Sequence, residues 1–234
     1  MAGHLSAIGF EFADPEQFQA DMLKLAAGAI ERLGCSVGDY AIWRSRTGAE
    51  IWFHLPLFGD EDEPRDIAGL TPFFEGECEV DLQAAAFMQR PGDNAFEGVI
   101  VARLEATQAE IRFEAVDFAV HAERALPFAC TARLVGFAHR VASGGEPGPA
   151  ATPGIKSLAC KDPSAAAALC SVAGRLARKT TLVNEFSGSR FARLAVECGG
   201  YVLDVVAAPD VAASIPESSG RVTIECTLFG RILD

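Results

Sequence analysis

The chain has no hydrophobic run near the roughly 18–20 residues needed to span a bilayer as a helix, which argues against a membrane protein of that kind. Its first residues, MAGHLSAIGFEF, lack the basic region, apolar core and small-residue cleavage site of a signal peptide, and they read instead as an opening strand. Seven cysteines (Cys35, Cys78, Cys130, Cys160, Cys170, Cys198 and Cys226) include no Cys-x-x-Cys pair and form an odd set. A secreted disulfide framework would be even and denser, so they read as buried structural thiols in a reducing cytoplasm. Histidine is scarce, with His4, His54, His121 and His139 the complete set, no His-x-x-x-His among them, and a single isolated His-x-Glu at His121-Ala122-Glu123. Gly-x-Ser-x-Gly occurs once, at Gly34-Cys35-Ser36-Val37-Gly38, but the strand-like run that begins at Tyr40 follows it where a nucleophile elbow needs a helix. The phosphate-binding Gly-x-x-x-x-Gly-Lys-Ser/Thr pattern is absent, and no cofactor is expected.

What the chain has is bulk for a core. Its 234 residues are 50% hydrophobic and 22% charged, enough for one large all-β domain or two modest ones. The net charge of −12 is lopsided: residues 1–154 carry 11 Lys/Arg against 24 Asp/Glu, whereas residues 155–234 carry 9 against 8. The acidic part should repel a phosphate backbone, so nucleic acid is disfavoured as a partner of the whole chain.

Local patterns favour strands. After the strand formers of residues 5–12, Asp14-Pro15-Glu16-Gln17 supplies an N-cap, a proline at the first helical position and an N3 residue able to close a capping box. Phe18, Met22, Leu25 and Ala26 continue at helical spacing until Gly28. Residues 40–46 and 49–55 flank Thr47-Gly48, a two-residue hairpin turn that sets Trp43 opposite Trp52. In that register Tyr40, Ile42, Ile51, Phe53 and Leu55 pack on the helix, leaving Trp43, Ser45, Glu50, Trp52 and His54 on the other face. Residues 58–70 read as an acidic loop. Residues 74–82 alternate strictly, with Glu75, Glu77, Glu79 and Asp81 on one face. Further strands are expected at 110–118, 127–142, 170–182, 190–198, 201–208 and 220–233, with an Ala-rich helix at 164–170 and a Gly/Pro linker at 143–154.

Two resemblances follow from these elements. Residues 4–56, read as strand, helix, strand and hairpin, resemble one βαβββ module of the vicinal oxygen chelate (glyoxalase-like) superfamily. That likeness implies a curved sheet with a ligand or metal on its concave side, and an active site completed by a second module or by dimerisation. The run VAGRLARKTTLVN, the turn Ser187-Gly188, the segment RFARLAVECGGYVLDVVA and the closing VTIECTLFGRI resemble the strand set of an OB-fold. The same region is similar to the C-terminal part of a bacterial protein family with no activity to carry over.

The expected architecture is therefore mainly β (α+β): an acidic domain over 1–142 whose first module is glyoxalase-like and continues into an antiparallel sheet, a linker at 143–154, and a small OB-like barrel over 155–234. The candidate ligand floor is Trp43, Glu50, Trp52 and His54, two aromatic rings beside a carboxylate and an imidazole. No catalytic residue is nominated. A metal set, under the glyoxalase-like alternative only, is His4, Glu50 and His54. Arg175, Arg178, Lys179, Arg190, Arg193, Arg221 and Arg231, interleaved with aromatics, define a single-stranded nucleic-acid alternative. The sequence names no activity. Its leading reading is a non-catalytic cytoplasmic binding or assembly protein for a protein or small-molecule ligand, without membrane attachment, with a homodimer as one assembly.

Overall fold

The computed structural model describes residues 2–57, 66–143, 154–158, 168–215 and 220–233. All but the two end residues of the expected linker at 143–154, most of the acidic loop and most of the Ala-rich helix lie outside these residues. Two short helices open the chain, α1 (Ala2–Ala7) and α2 (Pro15–Ala27), and α1 replaces the strand expected over residues 5–12. The reason sits at Gly9, whose φ of +80° closes α1 with paired bonds from Phe10 N–H to the Leu5 carbonyl and from Gly9 N–H to the Ser6 carbonyl. An added Cβ there would lie 2.9 Å from the Asn184 Cβ, so glycine is required twice over. The start of α2 follows the sequence closely: Asp14 accepts from Gln17 N–H at 2.8 Å, and the Gln17 side chain accepts from Ala13 N–H at 2.9 Å.

Four strands then form an antiparallel meander, β1 (Glu31–Cys35), β2 (Gly38–Arg44), β3 (Ala49–Pro56) and β4 (Gly69–Phe74). The opening module is thus two helices followed by four strands. The remaining strands make a second sheet: β5 (Glu79–Met88), β6 (Val99–Leu104), β7 (Glu110–Ala115), β8 (Phe128–Ser143), β9 (Gly154–Ser157), β10 (Leu169–Val183), β11 (Arg190–Cys198), β12 (Tyr201–Ala207) and β13 (Arg221–Ile232). Short helices α3 (Phe118–His121) and α4 (Pro209–Ala213) lie between them. The run expected as one strand over 74–82 is broken, because β4 ends at Phe74 and β5 begins at Glu79 in a different sheet.

The long β8 and β13 pair antiparallel from Ala132–Ile232 to Ser143–Val222 and organise the second sheet. One circuit of hydrogen bonds runs β8–β5–β6–β7–β13 and back to β8; another runs β8–β12–β11–β10–β13 and back. Strands from both sides of residues 144–153 therefore share one sheet, and the change of charge along the chain does not separate two sheets. The fifth strand of the second circuit is β8, while β9 pairs only with β10. One apolar core, including Leu82, Ile100, Phe113, Leu134, Val172, Leu194, Leu203, Ile224 and Leu228, lies among these strands. Cys170 and Cys226 face each other across β10 and β13 in that core, their sulfurs 3.4 Å apart.

A second core joins the meander and α1 to the outer surface of the larger sheet. Tyr40, Ile42, Trp52 and Phe73 pack there with Val135, Phe137, Phe191, Val206 and Phe229. This is why Phe229, on the outward side of β13, is nevertheless buried. Among the described residues, no helix is long and apolar enough to cross a membrane.

Candidate functional site

The hairpin between β2 and β3 decides which groups could meet a ligand. Its loop has three residues, Arg46, Thr47 and Gly48, because Ser45 and Ala49 pair through Ser45 N–H to the Ala49 carbonyl at 2.8 Å and Ala49 N–H to Ser45 Oγ at 2.9 Å. Gly48 takes φ +93°, the left-handed position such a loop needs. One residue more in the loop than the two expected shifts the register, and a one-residue slip moves side chains to the opposite face. Trp52 consequently pairs with Ile42, and Trp43 pairs with Ile51. The two tryptophans lie on opposite faces. Trp43 sits edge-on to Phe10 and Phe186 on the helix side, while Glu50, Trp52 and His54 face the larger sheet.

That second face is closed. Glu50, Trp52 and His54 are each 0% exposed, so the expected ligand floor is an internal seam between the two sheets. Its polar groups are satisfied within the seam. Glu50 accepts from Trp52 Nε1 at 2.7 Å and from Arg44 Nε, and Arg44 also reaches Glu31 and Glu75. Burial pushes the Glu50 carboxyl above the usual carboxylate range, against the pull of the indole N–H and the guanidinium. His54 lies stacked on Phe96, and its pKa is lowered by burial to about 4. The Asn94 amide donates to its Nδ1 at 3.1 Å, which leaves Nε2 to donate to Thr71 Oγ1 at 3.1 Å. Tyr40 completes the seam, donating to the Phe96 carbonyl at 2.9 Å and accepting from Ala119 N–H at 3.0 Å.

The expected metal set does not assemble. His4, on α1, lies 3.2 Å from Thr227 Oγ1 beside His139, Phe137 and Phe229. None of these is a partner of Glu50 or His54, and no group of three metal-binding side chains occurs among the described residues. The four acidic residues do alternate with buried neighbours, but each is engaged within the protein. Glu75 pairs with Arg133 at 3.1 Å, Glu77 with Arg193 at 3.0 Å, Glu79 with Arg133, and Asp81 accepts from Thr131 at 2.8 Å. Four of the seven basic residues of the last four strands are engaged: Arg175 with Glu197, Arg193 with Asp204, Lys179 with the Ile215 carbonyl, and Arg231 over the Trp52 ring.

The open space lies on the other face of the meander. A cleft of about 1240 Å³ runs between α2 and the sheet. Its floor is set by register, for Arg32, Ala41, Phe53 and Leu70 stand opposite one another across all four strands, and Asp39 stands opposite Leu55 in the next row. Its wall is the stripe Phe18, Met22, Leu23 and Ala26 of α2, and Ile67 closes one side. Phe53 and Met22 are buried at the base, whereas Leu23 on the wall is 57% exposed. The charged groups that line it among the described residues are Arg32, Asp39 and Asp66. A second cavity, about 590 Å³, is polar and lined by Arg46, Glu75, Glu77, Glu79, Arg133 and Arg193, several of which pair with each other.

The sequence points to part of this cleft, since Phe18, Met22 and Ala26 and the strand residues Phe53 and Leu55 are expected to face one another. It misses Leu23, Arg32, Asp39, Ala41 and Leu70. The available signal is the breadth of the apolar arc on α2, where Leu23 lies beside the regular stripe. Comparison with protein-family models, curated proteins and solved structures finds no match to this chain.

Proposed function

We propose that the protein is a binding protein whose site is the cleft between α2 and the four-stranded meander. One observation carries this reading: a cavity of about 1240 Å³ with an apolar floor and wall and, among the described residues, charges confined to Arg32, Asp39 and Asp66. Concave, mainly apolar sites with a few placed polar groups are the usual form of ligand pockets. Binding fits this lining better than catalysis does, and the polar groups of the covered face support it by being used up in holding the two sheets together. The OB-like likeness of the last strands enters the same reading as a scaffold, with β8 supplying the fifth member of the circuit formed by β10–β13.

The test uses the neutral fluorophore N-phenyl-1-naphthylamine, whose emission rises in apolar surroundings. Saturable enhancement is expected for the native chain and its loss is expected in Ala26→Trp, which fills the cleft from the helix side. Circular dichroism verifies that the variant is folded. Equal enhancement in both proteins, or none in either, would remove the cleft as the site.

A further inference from the structure

Resting on the cleft as the binding site, we infer that its occupant is a basic amphipathic helical segment of a partner protein. Size is the first argument. The lining residues of α2 run from Pro15 to Ala27, the whole helix, so the groove is about 20 Å long at 1.5 Å per residue. That length matches nearly four turns of a second helix. The volume of about 1240 Å³ also lies above the roughly 300–1,000 Å³ that drug-sized ligands occupy. A helix in this groove would lay one apolar stripe against the wall residues Phe18 and Leu23, since Ala41 and Phe53 of the floor are already buried.

Surface chemistry is the second argument. The wall offers Phe18, Met22 and Leu23, and Met in particular adapts to the side chains that enter between neighbours. Leu23 keeps 57% of its surface in water and is placed to be covered by a peptide's apolar stripe.

Charge chooses among peptides. Among the described residues, α2 and the cleft lining hold Glu16, Asp21, Asp39 and Asp66 against Lys24 and Arg32. Asp39 and Asp66 are set in the rim against a single cation, Arg32. A field of that sign attracts a cationic partner and rejects an acidic one of equal hydrophobicity.

The experiment is fluorescence anisotropy with two fluorescein-labelled 14-residue peptides of helical Leu spacing, one filled with Lys and the other with Glu. The Lys peptide is expected to bind at least about tenfold more tightly, to weaken as salt rises, and to lose that affinity in both Asp66→Lys and the cleft-filling Ala26→Trp. Equal binding of the two peptides overturns the inference, and so does Lys-peptide binding that survives Ala26→Trp, which would be attraction to the outer surface. N-phenyl-1-naphthylamine separates the two levels of failure. If the dye binds in the cleft while the Lys peptide does not displace it, the basic-helix occupant is wrong and the cleft reading stands. If the dye also fails, both fall. Sedimentation of the protein alone completes the set, because a dimer abolished by Leu23→Arg would show that a second copy fills the groove.

Discussion

The two faces of the four-stranded meander are both buried at their centres and are covered in different ways. One face, with Tyr40, Ile42, Glu50, Trp52 and His54, is sealed against the larger sheet, and each polar atom there has a named partner. The other, with Ala41, Phe53, Leu55 and Leu70, is roofed by a single 13-residue helix that leaves a groove along its length. Residue chemistry alone would choose the wrong face, since tryptophan, carboxylate and imidazole together resemble a ligand floor. Buried polar groups must find hydrogen bonds, and here they find them in each other. The open face is the plainer one.

Removing a sealed-face anchor should break this contrast most. Trp52 is fully buried, holds Glu50 through its indole N–H and lies under the Arg231 guanidinium. Trp52→Ala is expected to cost about 3–5 kcal/mol, through the cavity and the stranded carboxylate together. Urea unfolding measures it, and a loss under about 1 kcal/mol would mean that the seam is not tightly packed.

Acid should act on the same face next. The His54 pKa is about 4 in the folded protein against 6.5 for the free side chain, so the unfolded chain gains a proton below pH 6.5 that the folded chain refuses. This contribution is complete above pH 6.5 and declines as the pH falls toward 4, at about 1.4 kcal/mol per pH unit and about 3 kcal/mol in all. The difference between native and His54→Gln stability, followed from pH 7.5 to 4, isolates it from carboxylates that titrate in the same range. A difference that does not change with pH would show that His54 accepts its proton in the folded state.

Much of this was legible in the sequence and some was not, for separable reasons. The start of α2 is written in Asp14, Pro15 and Gln17, whose capping is local, and β13 is written in its strict alternation. The mainly β class follows from the same patterns. Local rules failed where a single residue changes the outcome. Residues 5–8 are strand formers by composition, yet Gly9 ends them as a helix. The sequence Arg46-Thr47-Gly48 admits a two- or a three-residue loop, and the paired bonds between Ser45 and Ala49, one of them to the Ser45 side chain, fix the longer one. From that slip came both the paired tryptophans that do not pair and the ligand floor that is a seam. The partnership of β8 with β13, some 90 residues apart, leaves no local trace at all.

Smaller effects belong to the open face. Asp14→Ala removes the side-chain cap of α2 and should cost about 1 kcal/mol, visible in urea and as faster amide exchange in the first turn of the helix. An unchanged exchange rate would mean that packing on the meander, not the cap, holds that turn.

The least disruptive change is the most informative. Leu23 is 57% exposed on the cleft wall, so Leu23→Ser forfeits little buried area and should alter stability by no more than about 0.5 kcal/mol. The same substitution puts a hydroxyl into the apolar wall that an occupant would cover, so N-phenyl-1-naphthylamine affinity should fall severalfold at unchanged stability. Trp52→Ala would lower stability first and affect binding only as the fold is lost. If instead Leu23→Ser destabilised the protein by 2 kcal/mol or more, as burial of a whole leucine would imply, the wall would already be covered in the folded chain. The two faces would then be equally sealed, and the groove would be part of the core.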